Sequence, residues 1–190
     1  MQLLEPIQKR RAYRAFDKKK VDTEILTRLA QAAHTAPSSA NNQPWRIVTV
    51  TEEGQLAKMK EVLAGGNYWG KNAPAVSAFV TSPGWSMSIG GRDLAYFELG
   101  MAAMAYQLQA VSEGLYVHPI VGFDAQKAKE VLSIPDEAVL EILMIVGYPG
   151  DKNILSEKHL QMEEMERERK PLDQILSWDR WSDLLLPKKK

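Results

Sequence analysis

The chain contains no cysteine and only three histidines among its 190 residues. The lack of cysteine excludes a disulfide framework, a thiolate nucleophile and a cysteine-based zinc site. The three histidines are scattered and form no obvious pair, so the sequence indicates no acid–base couple of side chains. We therefore predict neither a metal site nor a catalytic side chain of these types.

An excess of charge is also missing, since 24 lysines and arginines balance 24 aspartates and glutamates. General nucleic-acid binding needs a basic surface, and this balance argues against it. No run of about 18 apolar residues exists, so we expect no membrane-spanning helix. Residues 1–6 lead into the basic residues 9–11 without an apolar segment, which predicts no signal peptide. We expect a cytoplasmic protein.

What the chain does contain is an ordinary globular composition, with 45% hydrophobic and 25% charged residues. A length of 190 residues fits one domain. We expect a core over residues 1–150 and an extension over residues 151–190. The extension is helix-prone and charged over residues 162–170, and its later part carries many apolar residues. Because this apolar set is too large to remain in water, it must pack on its own core or on a partner subunit.

Three arginines, Arg10, Arg11 and Arg14, lie within five residues. In an extended run, Arg10, Ala12 and Arg14 share one face. A guanidinium group is a planar, permanently charged fork that matches phosphate oxygens. The cluster therefore indicates either an anion site or a solvated basic turn.

Residues 36–45 join a predicted helix over 23–35 to a predicted strand over 45–50. Pro37 and Pro44 forbid regular structure there, and the residues between them are short and polar. Asn and Gln side chains each offer donors and an acceptor, which suits a ligand with a mixed hydrogen-bonding edge. A plain capped turn is the alternative interpretation.

Hydrophobic periodicity predicts helices over residues 52–63, 92–112 and 124–132, and strands over residues 75–81, 115–121 and 139–146. Asp22 and Asp124 are the predicted N-caps of the helices over 23–35 and 124–132. The helix over 92–112 is apolar on most sides, so it lies either at a subunit interface or at the centre of a monomer. Pro119 indicates that its strand lies at a sheet edge or has an irregular end, so that neighbouring backbone N–H groups are free to meet a ligand. The strand over 139–146 is almost entirely apolar and is expected to be central.

Residues 65–72 match a phosphate-binding P-loop except that Asn72 replaces the required Ser or Thr. A P-loop follows a strand and opens a helix, whereas this segment follows a predicted helix and runs into Pro74. We therefore reject the P-loop and expect an aromatic-tipped loop, with Tyr68 and Trp69 as candidates to border a ligand pocket.

The arginine cluster, the Pro-Ser-Ser-x-Asn-x-Gln-Pro-Trp turn and a Pro-x-x-Gly strand end follow one another over nearly the whole chain. Together they resemble the nitroreductase family of flavin-dependent oxidoreductases. The resemblance implies an α+β fold in which helices flank a mostly antiparallel sheet. It also implies a homodimer with a long helix at its core, a C-terminal tail over the partner, and flavin mononucleotide (FMN) at the subunit interface.

The resemblance also implies the residues of the site. Arg10, Arg11 and Arg14 match the family's phosphate and ribityl contacts, and Ala12 stands where the family often has serine, so one hydroxyl contact is lost. The late basic pair that closes on the phosphate corresponds to Arg167 and Arg169. Family polar contacts between the second helix and second strand have no clear match, and Lys71 or Asn72 is a candidate substitute.

Two further segments complete the implied site. The segment that reaches the flavin from the other subunit is matched by Pro37, Ser38, Ser39 and Asn41, and Gln43 resembles a side-chain contact. The backbone beside the isoalloxazine ring is matched by Pro119, Ile120, Val121 and Gly122, and the Val121 N–H would face flavin N5.

The activity implied by the resemblance is transfer of hydride from NAD(P)H through flavin N5 to a small acceptor such as a nitroaromatic or a quinone, with ping-pong kinetics. In that chemistry no side chain is required as acid or base. Two alternatives remain open. One is an FMN-binding protein without reductase turnover, used for sensing or storage. The other is a phosphate-ligand module that has lost its flavin.

Overall fold

The structure is a computed structural model that describes residues 3–187. Within this part, the α-helices are α1 (Glu5–Lys9), α2 (Thr23–His34), α3 (Glu53–Glu61), α4 (Ala95–Ser112), α5 (Ala125–Leu132) and α6 (Glu157–Glu164). The strands are β1 (Arg46–Val50), β2 (Ala75–Thr81), β3 (Ser88–Ile89), β4 (Arg92–Asp93), β5 (Tyr116–Ile120) and β6 (Val139–Gly147). Short 3₁₀ segments lie at Ser39–Asn41, Gly65–Asn72, Lys152–Ile154, Leu172–Gln174 and Asp183–Leu185.

Four of these strands form one antiparallel sheet in the order β1-β2-β6-β5. Helices α2 and α4 pack on one face through Leu29, Leu99 and Tyr106, all of which are buried. The other face is covered by α3, α5 and the Gly65–Asn72 segment, which bury Met59, Trp69 and other apolar side chains. This arrangement confirms the predicted α+β fold with a mostly antiparallel sheet between helices.

The positions of β6 and β5 in the sheet are also as predicted. β6 lies between β2 and β5, and β5 is an edge strand with Pro119 opposite Met144. Proline has no N–H to donate to a ladder, which is compatible with its place in an edge strand. Val121 follows directly after this strand.

Three details differ from the sequence-based predictions. Helix α4 begins at Ala95 because a small hairpin of β3 and β4 occupies residues 88–93, turning at Gly90 and Gly91 with φ of 58° and 74°. Asp22 precedes α2, but its side chain accepts no capping hydrogen bond. The helix expected over residues 162–170 is wrong beyond Glu164, where α6 ends.

Asp124 does cap α5 as predicted, because its Oδ1 accepts the Lys127 N–H at 3.0 Å. Within residues 3–187, no helix combines the length and apolar character needed to cross a membrane.

Candidate functional site

The predicted arginines meet in one cleft of about 300 Å³ between the segment after α1 and the segment after α6. Its lining includes five arginines and Ala12, together with two glutamates of the tail: Arg10, Arg11, Ala12, Arg14, Arg167, Arg169, Glu166 and Glu168. Residues more than 150 positions apart in the sequence are therefore adjacent in space, as the resemblance implied.

Hydrogen bonds tie the tail to the arginine segment. Arg167 donates to the backbone carbonyls of Ile7 at 3.3 Å and Gln8 at 2.8 Å, and also to that of Arg10. These carbonyls lie in the last turn of α1 and just after it, where they lack helical partners. Arg11 donates in the opposite direction, to the Met165 carbonyl at 2.5 Å. Arg167 therefore holds the cleft together as well as adding charge to it.

Glu163 was missed by the sequence analysis. Its side chain is 4% exposed, and its Oε1 accepts the backbone N–H of Arg14. Its Oε2 has no hydrogen-bond partner among the described residues. Because Glu163 belongs to α6, this bond fixes the arginine segment against the helix that starts the tail. An acidic residue in the last turn of a charged helix gave no sequence signal for this role.

The charge in the cleft is poorly balanced. Within residues 3–187, the Arg10 guanidinium has neither a hydrogen bond nor a carboxylate within salt-bridge distance. Burial lowers the pKa of Arg10, and repulsion from Arg167 and Arg169 lowers it further. Burial also lowers the pKa of Arg14, whose guanidinium lies 5.9 Å from the centre of the Trp69 ring, although attraction to Glu163 opposes the shift. Such a cluster is stabilised by a bound anion.

His118 connects the arginine segment to the sheet edge. Its Nδ1 lies 2.9 Å from the Tyr13 carbonyl, and its ring contacts Trp69 in a tilted arrangement with centroids 4.5 Å apart. Burial lowers the pKa of His118 to about 4, although the Tyr13 hydrogen bond opposes the shift. The ring is therefore neutral at pH 7, and Nδ1 carries the hydrogen because a carbonyl can only accept. Tyr13 itself stacks on Tyr116 of β5 at 4.2 Å.

The turn between α2 and β1 has an unusual backbone. Three of its residues have positive φ without being glycine: Ala40 at 51°, Asn41 at 57° and Gln43 at 49°. Such angles are uncommon for non-glycine residues and concentrate where the surrounding structure enforces them. The turn is therefore a defined shape and not a flexible connection. Asn41 is exposed at its surface.

Side chains from other elements enforce that shape. Glu98 of α4 is 2% exposed, and its Oε1 accepts the Ser39 N–H at 2.7 Å while its Oε2 accepts the Ser86 hydroxyl at 2.5 Å. Desolvation raises the pKa of Glu98, but these hydrogen bonds outweigh it and hold the pKa below its ordinary value. The Gln43 N–H donates to Ser38 Oγ at 2.9 Å. Sequence analysis missed Glu98, although a lone carboxylate on an apolar helix was a signal.

The end of β5 is the third part of the predicted site. Val121 is 77% exposed directly after the strand. The Gly122 carbonyl accepts hydrogen bonds from the Ala64 N–H at 2.9 Å and from Asn67 Nδ2 at 2.8 Å. A Cβ at position 122 would lie 2.8 Å from Asn67 Nδ2, so the glycine permits this close approach. The backbone around Val121 is thus anchored on one side and open on the other.

A single chain does not bring all three parts together. The turn precedes β1 and the 119–122 segment follows β5, and these strands are opposite edges of the sheet. Three inter-strand spacings separate them, or roughly 14 Å. The arginine cleft lies on the β5 side, since Tyr13 contacts Tyr116 and His118. The turn is therefore remote from the arginines of its own chain.

Of the two aromatic residues in the 65–72 segment, Trp69 does not form a pocket wall. Trp69 is 1% exposed and belongs to the core, so the expectation that it borders a ligand pocket is wrong. The Tyr68 hydroxyl accepts the Ser156 N–H at 2.6 Å and lies 3.2 Å from His159 Nδ1. Lys71 and Asn72 line a separate cleft beside α3, away from the arginines. Throughout the described residues, no cluster of three or more His, Asp or Glu side chains could hold a metal ion.

Comparison with known proteins agrees with the fold and the motifs. The Nitroreductase family model matches residues 7–81 and 64–148, and the chain belongs to this family. An Archaeoglobus fulgidus protein named as a putative NADH dehydrogenase/NAD(P)H nitroreductase is 28% identical, over 78% of this chain and 86% of its own.

Two further similarities are informative. An FMN reductase [NAD(P)H] from Bacillus subtilis is 28% identical over 75% of this chain and 64% of its own length. A crystal structure described as an oxidoreductase containing FMN superposes with a TM-score of 0.87 at 28% identity, over 96% of this chain and 94% of that one.

Proposed function

We propose that this protein is an FMN-dependent oxidoreductase that oxidises NAD(P)H and reduces a small acceptor. The observation that carries the proposal is the cleft in which five arginines converge with little compensating charge. Membership of the nitroreductase family supports it. So do relatives named for FMN and for NAD(P)H oxidation.

The donor set of the cleft fits the phosphate of FMN. A phosphate monoester carries close to two negative charges and three acceptor oxygens at pH 7. Arg10 has no partner of its own within the described residues, and its burial and the neighbouring guanidinium groups make its charge costly without an anion. Arg11, Arg14 and Arg169 extend the same positive surface. These residues would hold the phosphate end of the cofactor.

The 119–122 segment fits the ring of the cofactor in the same proposal. Val121 offers an exposed apolar side chain directly after the edge strand β5. The anchoring of the Gly122 carbonyl by Ala64 and Asn67 keeps this backbone in place. We assign the N–H of Val121 to the reactive edge of the flavin, as a fixed donor.

We further propose that the site is shared between the subunits of a homodimer. The turn carrying Pro37, Ser38, Ser39, Asn41 and Gln43 lies across the sheet from the arginines of its own chain, which fits a contact made to the partner's cofactor. The extension over 151–190 fits the same arrangement, because its described part leaves Trp178 78% and Trp181 65% exposed. Helix α4 also exposes Phe97 at 67%. Exposed apolar groups of this size are typical of interfaces.

FMN, when bound, supplies the redox chemistry by accepting hydride from reduced nicotinamide and delivering it to a nitroaromatic, a quinone or a similar acceptor. The chain contributes charge, shape and a fixed backbone donor. His118 is neutral and engaged with the Tyr13 carbonyl, so it does not serve as an acid or base. Successive use of one site by donor and acceptor predicts ping-pong kinetics. A cytoplasmic location stays a prediction.

The test is the visible absorption spectrum of the purified protein before and after anaerobic addition of NADH or NADPH. A flavin spectrum that bleaches is the expected result. A flavin spectrum that persists would favour FMN binding without reductase turnover. A colourless protein that cannot be reconstituted with FMN would overturn the proposal and leave a module for another phosphate ligand.

A further inference from the structure

One buried carboxylate joins two separate loops at the end of the sheet. Glu98 lies in the first turn of α4, accepts the Ser39 N–H of the turn at 2.7 Å and accepts the Ser86 hydroxyl at 2.5 Å. Ser86 belongs to the loop between β2 and the β3–β4 hairpin. A second link runs parallel, since Arg46 donates to the Gln43 carbonyl at 3.0 Å and lies 5.1 Å from the Trp85 ring centre.

The helix itself has no need of a carboxylate at this position. The neighbouring Ala95, Leu99 and Ala102 are all buried and apolar, and Glu98 is 2% exposed among them. Placing a carboxylate in such surroundings is unfavourable unless its oxygens are hydrogen-bonded. Both oxygens are in fact used, and both partners lie outside the helix. The role of Glu98 therefore concerns the two loops and not α4.

The turn needs such an anchor because its backbone is strained. Ala40, Asn41 and Gln43 all have positive φ, and an isolated peptide of this sequence would leave that conformation. Two anchors act at its far end, where Thr81 Oγ1 donates to the Pro44 carbonyl at 2.7 Å and Arg46 binds the Gln43 carbonyl. At the near end, the Ser39 N–H is fixed by Glu98 alone among the described residues.

We propose that Glu98 is a positioning residue for the cofactor site, which holds the Ser38–Gln43 backbone in its ligand-binding shape and couples it to the loop of Ser86. This inference rests on the proposed function, because it assumes that the turn contacts FMN.

The main variant is Glu98→Leu, which keeps helix propensity and bulk but removes the acceptor. We expect its Kd for FMN to rise about tenfold, the effect of losing one charge-assisted hydrogen bond. Glu98→Gln should rescue most of the loss, because its amide oxygen can accept the Ser39 N–H while its NH₂ donates to Ser86. The matched control is Glu113→Gln. Glu113 directly follows α4, its carboxylate pairs with Arg28, and it contacts neither loop.

Amide hydrogen exchange of the cofactor-free protein gives a readout that needs no flavin. Exchange over residues 38–43 should accelerate at least tenfold in Glu98→Leu, stay near the wild-type rate in Glu98→Gln, and be unchanged in the control. If Glu98→Leu does not fold, the same exchange measurement is made on Ser86→Ala. This variant removes one of the two hydrogen bonds that hold the Glu98 carboxylate, so exchange at the Ser39 N–H should become faster.

The outcomes separate the inference from the proposed function. Wild-type exchange over residues 38–43 together with a Kd within twofold of wild type in Glu98→Leu would overturn the inference. Faster exchange in a protein that never binds FMN would support the positioning of the turn and refute the proposed function. Equal loss of affinity in Glu98→Leu and Glu98→Gln would overturn the positioning role, because rescue by the isosteric amide is then missing.

Discussion

The arginine cleft and the Ser38–Gln43 turn differ in how their polar groups are satisfied. In the turn, the strained backbone is held by Glu98, Thr81 and Arg46, and the hydrogen bonds close within one chain. The backbone of the cleft is also held by hydrogen bonds, but the Arg10 guanidinium lies near the positively charged Arg167 and Arg169 and has no carboxylate partner in residues 3–187. The turn therefore has its shape fixed by contacts within the chain, whereas the cleft carries positive charge at Arg10 that no group in this part of the chain balances.

That difference separates two contributions to one binding site. A preformed shape lowers the entropy lost on binding, and an unbalanced charge supplies the attraction. Substitution of the unpartnered Arg10 should therefore weaken binding strongly without altering the fold. Substitutions around the turn should change local order first and affinity second.

The largest effect is expected for Arg10→Ala. Loss of two charge-assisted hydrogen bonds to a phosphate corresponds to about 3 to 4 kcal/mol, or a Kd for FMN raised several hundredfold. The unfolding midpoint should change little, because Arg10 serves no contact in the core. Titration of the apoprotein with FMN measures the affinity. Arg28→Ala, which removes an arginine that pairs with Glu113 and does not line the cleft, is the control. Unchanged FMN occupancy in Arg10→Ala would refute the phosphate assignment.

The pH dependence of stability tests how the cleft is attached to the sheet. His118 has a folded-state pKa of about 4 against an ordinary value of 6.5, so the folded state favours the neutral ring. This stabilisation is fully present above pH 6.5 and is lost as the pH falls through about 4. Its size is up to about 3 kcal/mol.

Denaturant unfolding at several pH values between 7 and 4 measures this loss. His118→Gln cannot titrate, and its amide can still donate to Tyr13, so its stability should fall less steeply with acid. The exposed His34, substituted by Gln, provides the comparison. A wild-type slope in His118→Gln would show that acid acts elsewhere.

A smaller effect is expected from Trp178→Glu in the tail. Trp178 is 78% exposed in the single chain, so a charge there should leave the fold of the monomer unchanged. At an interface the same change should cost about 2 kcal/mol, which raises the dimer dissociation constant roughly thirtyfold. Analytical ultracentrifugation over a range of concentrations measures it, with the exposed Lys127→Glu of α5 as control. Association at the wild-type strength would remove the tail from the interface.

The smallest effect concerns a helix cap outside both regions. Asp124 Oδ1 accepts the Lys127 N–H at 3.0 Å, so Asp124→Ala should lower the free energy of unfolding by about 1 kcal/mol. Asp22→Ala is the matched control, because Asp22 occupies the same position before α2 without a capping bond. FMN affinity should be unaffected in both variants. If Asp124→Ala and Asp22→Ala lowered the free energy of unfolding equally, the capping hydrogen bond of Asp124 would not be the source of the loss.

The sequence predicted those features that depend on local pattern. Alternation and length located β2, β5 and β6, and Pro119 identified the edge strand because proline cannot donate to a ladder on both sides. The composition of residues 36–45 indicated a rigid turn. The positive φ values of that turn and the side chains that hold it could not be predicted from the sequence, because they depend on which residues the fold brings beside the turn.

Long-range contacts explain the errors as well. Trp69 looked like a loop residue, but Phe16 stacks on it and His118 packs against it at a tilt, both from distant parts of the chain, so that it belongs to the core. The charged stretch after Glu164 had helix propensity, but Arg167 donates to three backbone carbonyls near the end of α1 and draws the chain into an extended path. Glu98 and Glu163 were missed because burial, and not residue type, gives them their roles.

The most direct test of a site shared between subunits is FMN binding by a mixed dimer. One chain would carry Arg10→Ala and the other Glu98→Leu, each with a different affinity tag, and FMN titration would count the sites that keep the wild-type Kd. If the cleft and the turn of one site come from different chains, one site keeps both intact and the mixed dimer binds one FMN with the wild-type Kd. A mixed dimer without any site of wild-type Kd would mean that each site is built from a single chain, and would contradict the account.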